Sequence, residues 1–331
     1  MGNSEIRLFK SGRLAGLATA LLIACVAGHS TAWAQVKVRV GHSQLSQMAP
    51  LIHGVTAGFF KSEGLDVELT MIQSGPANLA ALAGGEIDIG WANVIPAINA
   101  RANGVPLRFF LATQHEDRKN HKVGLYLVAT EKSGVKSAAD LAGKRVLVNA
   151  NANACEIIIK ENIALANVKW DDVQKIVLPF PQMEAALDFG QADVACTGDN
   201  FFVSIMNSKR LNAVVIAEGI LPKVEKPFLG TSFYATAPWL DKNQDVALRF
   251  GRAFEKSRLA LVADREARIT TMMKLAGYTR EQAIANLDDI YVVTPVVKPE
   301  DLQETIDAMT RSGLLKKAVS AAELTLTLDY K

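Results

Sequence analysis

SGPANLAALAGGEIDIGW, residues 74–91, is present twice in this chain. Shifted by 105 residues, Pro76 and AALAGGEIDIGW (80–91) fall on Pro181 and AALDFGQADVAC (185–196) without a gap. Each copy reads as one unit. Proline sits just inside a helix start, where its missing N–H costs nothing and its φ is already helical. Leu79, Leu82 and Ala83, then Met183, Ala186 and Leu187, recur at helical spacing as a buried face. Gly84 with Gly85, and Gly190, close the helix in the left-handed region. An acidic residue and a short apolar strand follow, ending in Trp91 or Cys196. Outward from each copy lie two strand-like runs, LDVELTMI (65–72) and VKVRVGH (36–42) for the first, KIVLPF (175–180) and KRVLVNA (144–150) for the second. Strand, helix, strand, helix, strand, twice over, predicts an α/β chain of two lobes, each a doubly wound, mostly parallel sheet.

Residues 1–34 are expected to lie outside this fold. Arg7, Lys10 and Arg13 precede an apolar run over 14–27, and Ala32-Trp33-Ala34 before Gln35 has the form of an A-x-A cleavage site, so the segment reads as an export signal. Leu22-Ile23-Ala24-Cys25 offers a second reading, a lipoprotein signal with acylation on Cys25; cleavage after Ala34 is preferred because it ends just before the first strand. Three of the 36 basic and one of the 34 acidic residues precede position 35, which leaves 33 of each and no net formal charge. With no basic stripe and no zinc-spaced cysteine set, the composition argues against nucleic acid and against a membrane surface as partners. The expected product is a soluble protein outside the cytoplasmic membrane.

Along the rest of the chain, helices are predicted from about Pro50, over 94–104, through Ile157, Ile158 and Ile163, and over FFVSIMNS. LRFFLAT (107–113), VGLYLVAT (123–130), LNAVVIAE and LGTSFYAT (229–236) read as strands. QHEDRKNHK (114–122), the most polar segment, has the composition of an exposed crossing between domains. That crossing divides the mature chain into lobe 1, residues 35–118 plus 229–331, and lobe 2, residues 119–228. Ser137 with Asp140, and Thr279 with Gln282, form capping-box patterns, and the helices beyond residue 238 read as packing elements, not as a separate module.

In an open α/β sheet, ligands sit beyond the carboxyl ends of the strands, where helix N-termini point. The loops after equivalent strands of two facing lobes therefore converge on one cleft. The candidate ligand-binding residues are Ser43, Gln44, Ser74, Gly75, Trp91 and Asn93 from lobe 1, and Asn151, Asn153, Phe180, Asp199 and Asn200 from lobe 2. Several have a plainer reading: Ser74 and Asp199 as helix caps, Trp91 as a core aromatic, Asn151 and Asn153 as turn formers. His115 and His121 read as solvated members of the charge run, and His42 and His53 form no ligand pair, so no metal site and no cofactor is expected. No nucleophile elbow, H-E-x-x-H or carboxylate pair of recognisable spacing points to a catalytic residue.

The order VRVGHSQ, GFFKSEGLDVEL, SGPANLAALAGGEIDIG, NGVPLRFF, SAADLAGKRVLV and FPQMEAALDFGQADV resembles the nitrate, taurine and aliphatic-sulfonate binding proteins of ABC importers and their pyrimidine-precursor-binding relatives. The resemblance implies a type II periplasmic-binding fold whose two lobes close about a hinge. It also implies a small-molecule ligand, a membrane permease as partner, a monomeric protein and no catalysis. Sulfonate binders often carry Gly-Ser-Ser where this chain has Asn151-Ala152-Asn153, and Trp-Asp-Pro where it has Gly198-Asp199-Asn200. A sensor on the same fold and a binder of nitrogen heterocycles or aromatic acids remain the other readings. Among the loops assigned to the cleft the clear formal charge is Asp199, which selects a ligand with an ammonium or N–H donor. Cys155 and Cys196 fall beside one another in a doubly wound sheet and could pair in an oxidising compartment; two buried free thiols are the preferred reading, because a bond needs Cα atoms within about 7 Å.

Overall fold

Both copies of the repeat fold as strand, helix, strand, and one side-chain clamp holds each. In the computed structural model, which describes residues 1–2, 35–285, 287 and 294–331, the strands are β1 (Val36–His42), β2 (Leu65–Met71), β3 (Gly90–Asn93), β4 (Leu107–Glu116), β5 (Tyr126–Ala129), β6 (Arg145–Val148), β7 (Gln174–Val177), β8 (Val194–Thr197), β9 (Val214–Glu218) and β10 (Phe228–Thr236). The export signal and the alternative at Cys25 lie outside the described residues. Arg39 on β1 donates through Nε and Nη2 to the two Asp88 oxygens at 3.0 and 2.7 Å, and through Nη1 to the Gly85 carbonyl at 2.7 Å. Arg145 on β6 repeats the set on Asp193, at 3.1 and 2.9 Å, and on the Gly190 carbonyl at 2.8 Å. Gly85 and Gly190 turn the chain at φ 72° and 69°, a conformation that suits glycine at a helix end.

β1 and β2 pair in parallel along their full length, from Val36 opposite Leu65 to His42 opposite Met71. β10 runs between β3 and β4, antiparallel to both. A third, five-stranded sheet has the order β7-β6-β8-β5-β9, with β6 parallel to β7 and β8, and β5 antiparallel to β8 and β9. Each half thus carries one reversed strand in an otherwise parallel arrangement. Topology supplies the reason: β5 and β10 are the first strands after the two crossings, 117–125 and 219–227. A chain that enters from the side where the parallel strands end has to run against them.

The segment 114–122 departs from its expected exposure. β4 continues through Glu116, and Gln114, His115, Glu116 and Asp117 are buried, because the returning β10 pairs Phe228 with Glu116 and Leu229 with His115. Exposure begins only at Lys119. The capping boxes form as predicted: Ser137 with Asp140 in full, and Thr279 with Gln282 through bonds of 2.9 and 3.3 Å. The C-terminal helices are packing elements, helix Gln244–Ala263 driving Phe250 and Phe254 against Phe233 at ring distances of 5.1 and 5.3 Å.

Cys155 and Cys196 are joined as a disulfide, with Cα atoms 5.7 Å apart, so the preference for free thiols is corrected. Parallel pairing of β6 with β8 brings the start of helix Ala154–Leu165 over the end of β8, well within bonding reach. The bond spans 41 residues, for which loop-closure entropy gives a stabilisation of about 4 kcal/mol. In the chain from Gln35, whose two cysteines are Cys155 and Cys196, alkylation of the oxidised form should leave the intact mass unchanged, and reduction should admit two alkyl groups.

Burial pushes the Asp88 carboxyl up, but the Arg39 hydrogen bonds outweigh it and hold the group below the usual carboxylate range. The Arg145 hydrogen bond does the same for Asp193. The stability these pairs add is present above about pH 4, where an unfolded aspartate is ionised, and is lost as pH falls through the folded value. Asp88→Ala and Asp193→Ala should each cost about 1–2 kcal/mol in urea unfolding at pH 7, the scale of a charged hydrogen bond discounted for partial exposure.

Candidate ligand-binding site

Three helices begin on the wall of one cavity. Ser74 caps helix Gly75–Ala83 by accepting from the Ala77 amide at 3.4 Å, and Asn93 caps helix Val94–Ala102 by accepting from the Ile95 amide at 3.0 Å. Asn153 caps helix Ala154–Leu165, accepting from the Cys155 amide at 3.1 Å. All three caps and Gly75 line a cavity of about 90 Å³. A Cβ at Gly75 would stand 3.1 Å from both Ala92 Cβ and Pro96 Cγ, a tight contact, so glycine suits the close approach of this first turn to β3 and helix Val94–Ala102. Each N-terminus carries a partial positive charge and unpaired amides, and their convergence suits an anionic group.

Aromatic side chains form another part of the wall. Trp91 is buried, its indole N–H donating to Thr113 Oγ1 at 2.8 Å, which in turn pairs with Thr231 Oγ1 at 2.8 Å. Phe180, at the start of helix Phe180–Asp188, stacks on Phe201 at 5.7 Å, and both line the cavity. A larger depression of about 560 Å³ shares Gln44, Phe180 and Phe201 with it, so these three side chains stand between the inner cavity and the outer cleft.

Of the eleven residues expected at the cleft, Ser43, Gln44, Ser74, Gly75, Trp91, Asn93, Asn153 and Phe180 line this cavity, and Asn151, Asp199 and Asn200 do not. Asn151 is exposed, in a loop that turns at Ala152 with φ 51°. Asp199 is buried at φ 56°, and its carboxylate accepts from the backbone amides of Ser46 and Asn200. Asn200 lines the outer depression instead. Gln114, Glu116 and Thr231 also line the cavity and were not among the expected residues. An acid in a charge-rich segment carries no local sign that its strand continues; only the pairing with β10 reveals it.

Glu116 is 1% exposed and accepts from the Gly124 amide at 3.1 Å and the Ile220 amide at 2.8 Å. Burial raises its carboxyl to about 7, against the opposing pull of those two amides and of Arg118. Burial alone lowers His115 to about 4 and lowers His42 as well, the latter opposed by its contact with the Ser43 carbonyl. Because Glu116 binds its proton more tightly when folded, its contribution is most favourable below about pH 4.5, declines as pH rises toward 7, and is flat above. The decline is roughly 3 kcal/mol in total. Urea unfolding from pH 4.5 to 8 should show Glu116→Gln gaining stability relative to the unaltered protein by that order as pH rises. A difference independent of pH would contradict this account of the group.

The two sheet systems, the paired crossings and a cavity under converging helix N-termini define the periplasmic-binding-protein fold. The structure matches the alkanesulfonate-binding protein SsuA from Xanthomonas axonopodis pv. citri bound to MOPS with TM-score 0.72 and 20% identity, over 88% of this chain and 98% of that one. It matches the periplasmic nitrate-binding protein NrtA from Synechocystis PCC 6803 with TM-score 0.67 and 16% identity, over 87% and 84%. The chain belongs to the NMT1/THI5-like family, whose model matches residues 45–268. An aliphatic sulfonates-binding protein of Escherichia coli strain K12 is 26% identical over 256 residues, 74% of this chain and 75% of that protein.

Proposed function

We propose that the protein is the extracytoplasmic solute-binding component of an ABC importer and captures a small polar ligand of the sulfonate, taurine or nitrate class in the cavity described. The observation that carries this reading is the convergence of three capped helix N-termini on one cavity. Relatives named for sulfonate, alkanesulfonate and nitrate binding support the anion class, and the periplasmic description of the nitrate binder supports the location. Those relatives are binding proteins, in keeping with a carrier and not a catalyst. At about 90 Å³ the cavity is smaller than the ~150 Å³ that admits a benzene ring, which favours a ligand of few heavy atoms.

On this reading the lobes are residues 35–118 plus 229–331, and 119–228, and they close about the two crossings. The crossings are tied to each other by Arg118, which donates to the Pro222 carbonyl, and by the Gly219 amide on the Leu125 carbonyl at 2.9 Å. The Asp199 carboxylate on the Ser46 amide joins one lobe to the other and serves as a latch for the closed state. The monomeric carrier delivers its ligand to a membrane permease.

A thermal-shift series with sulfonates, nitrate, pyrimidines and aromatic acids tests the assignment. A ligand at ~100 times its dissociation constant stabilises by about 2.7 kcal/mol, a rise of about 4 °C for a protein of this size. A rise with sulfonates is expected. A rise with pyrimidines or aromatic acids alone would replace the sulfonate assignment.

A further inference from the structure

Glu116 is the one formal charge on the cavity wall among the described residues, since the lining includes no Lys, Arg, Asp or second Glu. It makes no ion pair among the described residues, and a buried carboxylate without a counter-ion is an unfavourable arrangement. Gln47 shows the same deficit. It is 4% exposed, lines the cavity, and its Oε1 has no hydrogen-bond donor. Both groups are acceptors with capacity to spare: Gln47 Oε1 has no donor, and the two Glu116 oxygens have one backbone amide each and no cation.

We infer that Glu116, with Gln47, takes a protonated nitrogen of the ligand, which makes Glu116 the residue that selects an amino-bearing anion over a bare one. This rests on the reading of the cavity as a sulfonate-class site: the anionic group lies at the helix N-termini and the ammonium at Glu116. A bare anion such as nitrate is instead brought beside a carboxylate in a low-dielectric space. Burial holds the empty-site carboxyl near 7, and an ammonium alongside it favours the ionised form. The oxygens that would face the ammonium also hold the amides of Gly124 and Ile220, one on each crossing, so the charge recognised in the cavity is anchored to the segments about which the lobes close.

Calorimetry with taurine, ethanesulfonate and nitrate tests the assignment, because taurine and ethanesulfonate differ only in the amine. The unaltered protein should bind taurine at least tenfold more tightly than ethanesulfonate. Glu116→Gln should weaken taurine by ten- to a hundredfold and leave ethanesulfonate within threefold. Gln47→Leu, which removes an acceptor with no partner in the fold, should weaken taurine about three- to tenfold and guards against a folding defect in the first variant. An unchanged taurine preference in folded Glu116→Gln, or a preference for ethanesulfonate in the unaltered protein, overturns the inference. Failure of the sulfonate reading is distinct: no sulfonate and no nitrate binds. Cytosine, which carries ring and amino N–H donors, then decides. Loss of cytosine binding in Glu116→Gln upholds the role of Glu116, and equal binding to both proteins, or to neither, overturns it.

Discussion

The clamp of Arg39 on Asp88, and its copy of Arg145 on Asp193, is the constraint on which the arrangement rests. In each, a guanidinium on the first strand of the unit holds the carboxylate that precedes the later strand and also the carbonyl of the glycine that ends the helix. The cation therefore meets the negative end of the helix, where it is favourable, while fixing that end to the sheet. With one end fixed and the helix rigid, the opposite end has a single place to go. For helix Gly75–Ala83 that place is the cavity wall. The interaction is partly exposed and individually modest, but its geometry is bidentate, which sets direction as well as energy.

The cavity combines two kinds of charge that are ordinarily kept apart. Helix N-termini offer diffuse positive potential without a formal charge, and Glu116 offers a formal negative charge sheltered from water. Either alone would accept many ligands. On the inference drawn for Glu116, the two together favour a molecule with separated charges. The cost is borne by the fold, since a buried carboxylate satisfied by only two amides lowers stability near neutral pH. Structure tends to retain such a penalty where recognition requires it.

What the sequence reveals here follows from the range of the interactions involved. Helix caps, the proline at a first turn, glycine at φ near 70° and apolar periodicity act within a few residues, and Ser74, Gly85 and Gly190 are readable for that reason. The duplication extended that reach, because matching two copies placed their strands in equivalent positions. Glu116, Asp199 and the disulfide depend on contacts between segments far apart: β4 with β10, Ser46 with Asp199, helix Ala154–Leu165 with β8. Asp199 was legible as an acid near the cleft or as a helix cap, but not as one engaged by the distant Ser46 amide. For Glu116 even the direction of exposure was misleading, because polar composition normally marks a surface and here marks a strand covered by its neighbour.

The two copies also show how a repeated frame is divided between tasks. Helix Gly75–Ala83 is capped by a hydroxyl and opens with glycine, so its amides come close to the cavity. Its counterpart, helix Phe180–Asp188, begins after Pro179 with no side-chain cap, and presents the Phe180 ring instead. At the end of the unit the same exchange recurs. Trp91 contributes to the wall and is steadied by Thr113, whereas the equivalent Cys196 turns to structure and ties its strand to helix Ala154–Leu165. That tie fixes the start of the helix whose cap, Asn153, reaches the cavity, so the covalent bond in the second copy positions an amide terminus much as the glycine contact at Gly75 does in the first. One topology thus supplies two capped helix ends and the Trp91 ring from the first unit, and a third capped end and the Phe180 ring from the second, and a ligand between them meets both.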